Sequence, residues 1–282
     1  YTLVVRADSR RSPEDPTVQI TAADAAGARH GLRTLAQLLV QYEGRLPAVK
    51  IEDAPSFRTR GVMLDISRDR VAKMEELFAY VDLFASWKLN HLELYTEHTF
   101  AYAGHEEVWR EASPMTPDEV RALDAYAAAR GVRLGANQNC FGHMERWLRH
   151  ARYRTLAEIP EGASWELSGR RRTNPWGLCP GDPCALALIE DLLGRLLPNF
   201  SGRWVNIGCD ETWDLGQGRS REPCAREGMV RVYFDFITKI LDCVRRHGFR
   251  AGFWADIAFH HPEALPLIPE DLTALAWGYE PE

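Results

Sequence analysis

The stretch Trp204-Val205-Asn206-Ile207-Gly208-Cys209-Asp210-Glu211-Thr212-Trp213 runs from apolar, strand-like residues into two adjacent carboxylates, after which the chain turns through Gly216 and Gly218. Strand side chains alternate between faces, so neighbours such as Asp210 and Glu211 share one cleft only where the strand is ending. The mouth of a barrel is such a place. For an isolated Asp-Glu pair the plain alternative is a solvated acidic turn, because charge is common in loops. The flanking chain weighs against that alternative.

From Arg60 onward, strand and helix patterns alternate, which predicts parallel strands joined by crossover helices. Strands are expected at Gly61 to Ile66, His91 to Tyr95, Val132 to Ala136, Trp204 onward, Ala251 to Trp254 and Leu275 to Trp277. A helix from about Lys73 to Trp87 carries Leu77, Phe78, Val81, Phe84 and Ala85 on one face. In the next helix Thr116 and Glu119 have capping-box spacing, Pro117 holds the first helical position, and the pattern stops at Gly131. Further helices are expected from Pro183 through Leu188, Leu192 and Leu196, and from Val230 to His247. The segment Asn137 to Gly181 is too long for a simple connector, so short helices lining a site are expected there.

This is the pattern of a (β/α)8 TIM barrel, with about six βα units where a closed barrel needs eight. The chain is therefore expected to be a piece of a longer protein, or to receive its missing strands from elsewhere. No glycine-rich phosphate loop follows the first strand, which disfavours a dinucleotide fold. Residues 1–55 read as the end of a small α/β accessory domain, and 56–282 as the barrel. The former has strands at Leu3 to Arg6, Val18 to Ile20 and Val49 to Ile51, and a polar turn with Pro13 and Pro16. Its helix is capped at Thr21 or Asp24 and striped by Ala28, Leu32, Leu35, Leu38 and Leu39.

Composition narrows the function. With 45% apolar and 26% charged residues among 282, the chain is an ordinary globular one, and no apolar run approaches a membrane span. A formal net charge of −6 offers no excess of positive charge for phosphates, so nucleic acid is disfavoured, and the basic run Arg170 to Arg172 reads as a solvated loop. The six cysteines are scattered without zinc-site spacing and read as mostly free thiols. The opening Tyr1-Thr2-Leu3-Val4-Val5 is strand material rather than a signal peptide, which favours the cytoplasm over secretion if Tyr1 is the true start. No Met precedes it, so a truncated amino terminus is expected.

At the carboxyl ends of the strands the layout places Asp65 and Arg68, Glu97 and His98, Asn137, Gln138 and His143, Asp210 and Glu211, Trp254 and Asp256, and Trp277 and Tyr279. Arg60 precedes its strand. Carboxylates, amides, a histidine and aromatics suit a sugar, whose ring faces pack on indoles while its hydroxyls meet polar groups. Duller roles stay open: Arg60 pairing with a surface acid, His143 as a structural turn residue, Trp254 and Trp277 as core.

The runs Arg60-Gly61-Val62-Met63-Leu64-Asp65-Ile66-Ser67-Arg68, Phe141-Gly142-His143 and Ile207-Gly208-Cys209-Asp210-Glu211 resemble those of glycoside hydrolase family 20, the β-N-acetylhexosaminidases. Glu93-Leu94-Tyr95-Thr96-Glu97 and Phe141-Gly142-His143-Met144-Glu145 are closer to its hexosaminidase D-like branch. The resemblance covers nearly the whole chain in order. It implies retaining hydrolysis of a terminal N-acetylglucosamine or N-acetylgalactosamine, assisted by the substrate's own acetamido group. Glu211 is then the general acid and Asp210 the group orienting the acetamide. Arg60, Glu97, His143, Trp254, Trp277 and Tyr279 bind the sugar. No cofactor and no metal are implied, and the oligomeric state stays open. Two departures stand out. Leu94-Tyr95-Thr96-Glu97 replaces an aromatic, His and paired-Asp pattern, and Asn206 and Cys209 replace the usual His and Gly. A sugar-binding barrel without turnover, and a metal-dependent lyase or hydrolase using Asp65, Glu93, His143 and Asp210, are the rival classes.

Overall fold

The structure, a computed structural model, describes residues 1–6, 17–163, 165–167 and 170–279, without the side chains of 165–167 and 170–172. The turn expected around Pro13 and Pro16 lies outside the described residues. Strands β1 (Thr2–Val5), β2 (Val18–Thr21) and β3 (Val49–Glu52) form an antiparallel sheet in the order β2-β1-β3. Helix α1 (Ala25–Gln41) packs on it. Asp24 caps the helix by accepting the Gly27 N–H at 2.7 Å, a contact worth about 1 kcal/mol.

The buried face of α1 differs from the expected stripe. Gly31 and Thr34 are buried, whereas Leu32 and Leu39 are exposed. Close approach explains the difference, since a Cβ on Gly31 would stand 2.6 Å from Ile20 Cγ2. Contact therefore centres on the smallest residue, and Leu32, about 100° further round, points away.

The second unit comprises, in order, β4 (Gly61–Asp65), α2 (Met74–Ser86), β5 (His91–Tyr95), α3 (Glu106–Trp109), α4 (Pro117–Ala129), β6 (Arg133–Asn137), α5 (Glu145–Leu148) and α6 (Ala151–Arg154). There follow β7 (Trp165–Leu167), β8 (Arg170–Arg172), α7 (Pro183–Leu196), β9 (Trp204–Asn206), α8 (Arg221–Glu227), α9 (Met229–Arg246), β10 (Arg250–Trp254), α10 (Asp256–His260) and β11 (Leu272–Leu275). Six parallel strands lie in chain order, β4-β5-β6-β9-β10-β11. Sequential parallel strands with intervening helices are the wall of an α/β barrel, here part of its circumference.

Helix ends follow local chemistry. Thr116 and Glu119 close the capping box at α4, and Gly131, at φ +73°, turns the chain out of it. Asp182 accepts the Cys184 N–H at the start of α7. Leu77 and Val81 of α2, Leu192 of α7 and Ile237 of α9 are fully buried against Leu92, Leu134, Val205 and Phe253 of the strands. Burial of each such side chain contributes roughly 1.5–3 kcal/mol. All six cysteines are free, and among the described residues no helix is long and apolar enough to cross a membrane.

Three expectations are corrected. The last strand is Leu272–Leu275, in register with Ala251–Trp254, so Trp277 lies past its end instead of within it. The fourth strand's ladder stops at Asn206 because Gly208 and Cys209 take φ of +66° and +73°. Arg170–Arg172 is no loop but pairs antiparallel with Trp165–Leu167, each strand's facing backbone groups bonding the other's.

Candidate active site

The carboxyl ends of the strands converge on one cavity of about 270 Å³, lined by Met63, Asp65, Arg68, Tyr95, His143, Asp210, Glu211, Trp254, Trp277 and Tyr279. Its acids are delivered by an unusual backbone. Gly208, Cys209 and Glu211 all have positive φ, the last at +50°. Left-handed residues break the alternation that would send Asp210 and Glu211 to opposite faces, so both reach the cavity. The turn is braced from outside: Tyr233 donates to the Cys209 carbonyl at 2.7 Å, Trp176 Nε1 to the Glu211 carbonyl at 2.6 Å, and the Glu211 N–H donates to Asp256 Oδ2 at 3.1 Å.

The turn after β6 presses onto the same backbone. A Cβ on Gly142 would stand 2.1 Å from the Asp210 carbonyl oxygen, so only glycine fits. His143 follows at φ +57° and is buried, with Trp176 packed 4.6 Å away between ring centroids. Its Nε2 lies 3.4 Å from Asp210 Oδ2 and 3.3 Å from Glu211 Oε2, and its Nδ1 lies 3.3 Å from Glu97 Oε1. The Nε2 contacts are ion pairs rather than aligned hydrogen bonds, since that nitrogen has no hydrogen-bond partner. Burial works to discharge the ring, but Asp210, Glu211 and Glu97 outweigh it and hold His143 well above the ordinary histidine range. Three acidic side chains, Asp210, Glu211 and Glu97, thus surround one buried histidine.

Glu97 is buried too. Burial opposes its ionisation, yet His143, then Arg68 and the Tyr95 hydroxyl, hold it below the usual carboxylate range. Arg68 closes this side: its guanidinium donates to Asp65 Oδ2 at 2.6 Å and to the Tyr95 hydroxyl at 3.2 Å, and stacks over the Tyr95 ring. Asp256 is pushed up to about 6, by burial first, with the neighbouring Asp210 charge adding to it. Trp254 forms one wall. Trp277 and Tyr279, their centroids 5.8 Å apart, form another at the open side, where Tyr279 is 90% exposed.

Most of the expected residues meet here: Asp210, Glu211, His143, Trp254, Trp277 and Tyr279 line the cavity, and Glu97 stands behind His143. Arg60 does not. It precedes β4, at the amino-terminal end of the strands, and its guanidinium donates to the carbonyls of Phe57 and Lys88. Arg68, eight residues on, occupies the cavity instead, because β4 carries the chain across the barrel wall between them. Gln138 and Asn137 brace loops, donating to the Glu97 carbonyl and accepting the Thr96 N–H, and His98 faces a different groove. Glu93, offered for a metal site, binds Trp204 and His91 rather than joining Asp210. Trp176 was missed, as nothing near it in sequence separates it from an ordinary core indole.

A partial α/β barrel with paired strand-end acids, a buried histidine and indole walls defines the class of a carbohydrate-site barrel. The family models agree in detail: Glycosyl hydrolase family 20, catalytic domain, matches residues 57–281, and domain 2 of the same family matches residues 1–54. The chain belongs to glycosyl hydrolase family 20. It is 27% identical to a beta-hexosaminidase of Emericella nidulans over 99% of this chain and 49% of that protein, and 28% identical to hexosaminidase D of Bos taurus over 74% and 59%. The chain thus spans about half the length of the curated relatives it matches. Its fold matches that of the Streptomyces plicatus N-acetyl-beta-hexosaminidase in complex with Thio-NAglucal, with a TM-score of 0.71 and 23% identity over 99% of this chain and 54% of that one. A chitobiase of Flavobacterium johnsoniae gives a TM-score of 0.77 at 22% identity, over 100% and 42%.

Proposed function

We propose that the intact protein is a retaining exo-β-N-acetylhexosaminidase that removes a terminal N-acetylglucosamine or N-acetylgalactosamine from a glycan. The observation that carries this reading is the delivery of Asp210 and Glu211 into one aromatic-walled cavity around a buried histidine. At about 270 Å³ the cavity falls just below the roughly 300–1,000 Å³ of drug-sized clefts, a size for one sugar ring. The solved Streptomyces plicatus relative with product carries N-acetylglucosamine, which supports the substrate class.

In this reading the Glu211 carboxyl donates its proton to the glycosidic oxygen as the C1–O bond breaks. The acetamido carbonyl oxygen attacks C1 from the other face, giving an oxazolinium ion. Asp210 accepts the acetamido N–H and balances the positive charge, a preorganised contact worth several kcal/mol on the scale of other such groups, roughly 3–4. Water then attacks C1, breaking its bond to the acetamido oxygen and restoring the acetamide, and yields its proton to the Glu211 carboxylate, so two inversions retain configuration. His143, with Glu97 behind it, stands 3.4 Å from Asp210 and 3.3 Å from Glu211 and holds the two acids in place. Trp254 and Trp277 wall the acetamide and the ring face.

The test is hydrolysis of a nitrophenyl N-acetylhexosaminide by the full-length protein and its Glu211→Gln variant. A loss of about 10²–10⁴-fold in kcat is expected for removal of a general acid. Equal rates would end the assignment, and an active enzyme indifferent to a thiazoline analogue of the intermediate would remove the acetamide's role.

A further inference from the structure

On the far side of Arg68 lies a second and larger cavity, of about 600 Å³, and Arg68 lines both. Its floor is His98, which is buried and whose Nδ1 has no hydrogen-bond partner. Arg146, Arg149 and His150, on α5 and just after it, line the cavity together with Arg70 from the loop after β4. Among the described residues no ion pair engages Arg70, Arg146 or Arg149. The acids of the cavity belong mainly to the α3 side, where Glu106 already accepts the Gly104 N–H at 2.8 Å and Glu107 lies 3.8 Å from Arg152. Asp69 and Glu111 complete the charged lining, with Arg110 beside Glu111. Burial, then Arg146, pushes His98 down to about 4, so it is neutral at pH 7 and adds no positive charge to a wall crowded with it.

We propose that this groove receives an anionic group carried by the saccharide, a sulfate ester or a sugar carboxylate, at its His98–Arg146–Arg149 end. Guanidinium groups without a carboxylate partner match such oxyanions in a bidentate manner. An anion between them removes their mutual repulsion and supplies a partner for the buried imidazole. Arg68 lines both the groove and the sugar cavity, so the two adjoin across a single side chain, and the proposal has one glycan engage both. The proposal rests on the reading of the sugar cavity given above and extends it to substrate class.

The full-length protein tests it with paired substrates: a nitrophenyl N-acetylhexosaminide against its mono-O-sulfated derivatives, and an N-acetylhexosaminyl-β-hexose against the matching uronic acid disaccharide. The first pair reports sulfate on the hexosamine, the second a carboxylate on the next sugar. At least one charged substrate is expected to exceed its neutral partner roughly 10-fold in kcat/KM, the scale of one charge-assisted hydrogen bond. That advantage should shrink with added salt and vanish in Arg146→Ala/Arg149→Ala, while the neutral rate holds. Arg149→Ala alone changes an exposed residue and should remove part of it with an unchanged melting temperature. Hydrolysis of neutral substrates with an unchanged charged-to-neutral ratio in these variants would overturn the groove and leave the sugar reading standing. Hydrolysis of none of the substrates would overturn both.

Discussion

The Asp256 carboxylate accepts the backbone N–H of Glu211 at 3.1 Å, and Glu211 is held there at φ +50°. A left-handed glutamate is unfavourable by itself, so a half-buried acceptor just past the next strand's end fixes the proposed general acid in place. Replacing the acceptor frees that turn. Asp256→Ala is expected to lower kcat about 10–100-fold with KM nearly unchanged, because a displacement on the order of 1 Å costs about that much. Asp256→Asn, which keeps an acceptor oxygen, should retain most of the rate. Steady-state kinetics on both variants decide it, and wild-type kcat in the alanine variant would discard the positioning role.

Asp214 gives a pH prediction. It is buried, accepts the Gly177 N–H at 2.8 Å, and is pushed up to about 6 by burial. An acid whose folded pKa is raised binds its proton more tightly in the native state. Its contribution to stability is therefore fully present below the unfolded value of 3.8 and is lost as pH rises through about 6. Asp214→Asn removes the ionisation. Melting curves should show the variant more stable than wild type at pH 8, by up to about 2–3 kcal/mol, and level with it near pH 4. Parallel curves at both pH values would contradict the assignment.

His143 carries the opposite sign. Its raised pKa means stability present below the ordinary histidine value and lost as pH climbs through the folded value, on the alkaline side. Nitrogen-15 NMR should find the ring doubly protonated at pH 8. His143→Asn suits the left-handed backbone but removes the histidine from between Asp210 and Glu211 and leaves Glu97 with Arg68 as its ion-pair partner. We expect it to lose about 10²-fold or more in kcat and to lose the alkaline stability transition. A neutral ring at pH 8 in the wild type would sink the charge assignment.

The approach of Gly142 to Asp210 predicts a stability effect without any chemistry. Since an added Cβ would meet backbone at 2.1 Å, neither partner can yield by a side-chain rotation. Gly142→Ala should cost about 1–3 kcal/mol or more, read as a lowered denaturation midpoint. An unchanged midpoint would mean that the two turns are free to separate.

Much of this site was readable because its parts obey local rules. The capping box at Thr116 and the alternation from Gly61 onward rest on neighbours in sequence, and they placed the strand ends that carry Asp210, Glu211 and Trp254. What sequence could not supply was register and backbone hand. Trp277 reads as strand but lies beyond Leu275 because pairing with Trp254 sets where β11 stops. Leu32 reads as core until Gly31 is seen to draw the helix onto Ile20. Trp176 and Asp256 act on Glu211 through its backbone, a relation no spacing encodes.

The exchange of Arg60 for Arg68 supplies the last prediction, since the two arginines bracket one strand and differ in what they touch. Arg60 holds the carbonyls of Phe57 and Lys88, tying the joint between the two units to the barrel floor. Arg68 faces the cavity, held by Asp65 and stacked on Tyr95. Arg60→Ala should therefore lower stability by about 1–3 kcal/mol, through hydrogen bonds of a charged donor, with KM unchanged. Arg68→Ala should raise KM about 10-fold or more for a nitrophenyl N-acetylhexosaminide while the protein melts near the wild-type temperature. Because Arg68 is half exposed, its ion pair with Asp65 adds little stability, which keeps the two readouts separable. If KM rose in the Arg60 variant and stayed level in the Arg68 variant, the sugar would bind at the opposite end of the strands, and the cavity around Glu211 would have to be abandoned as its site.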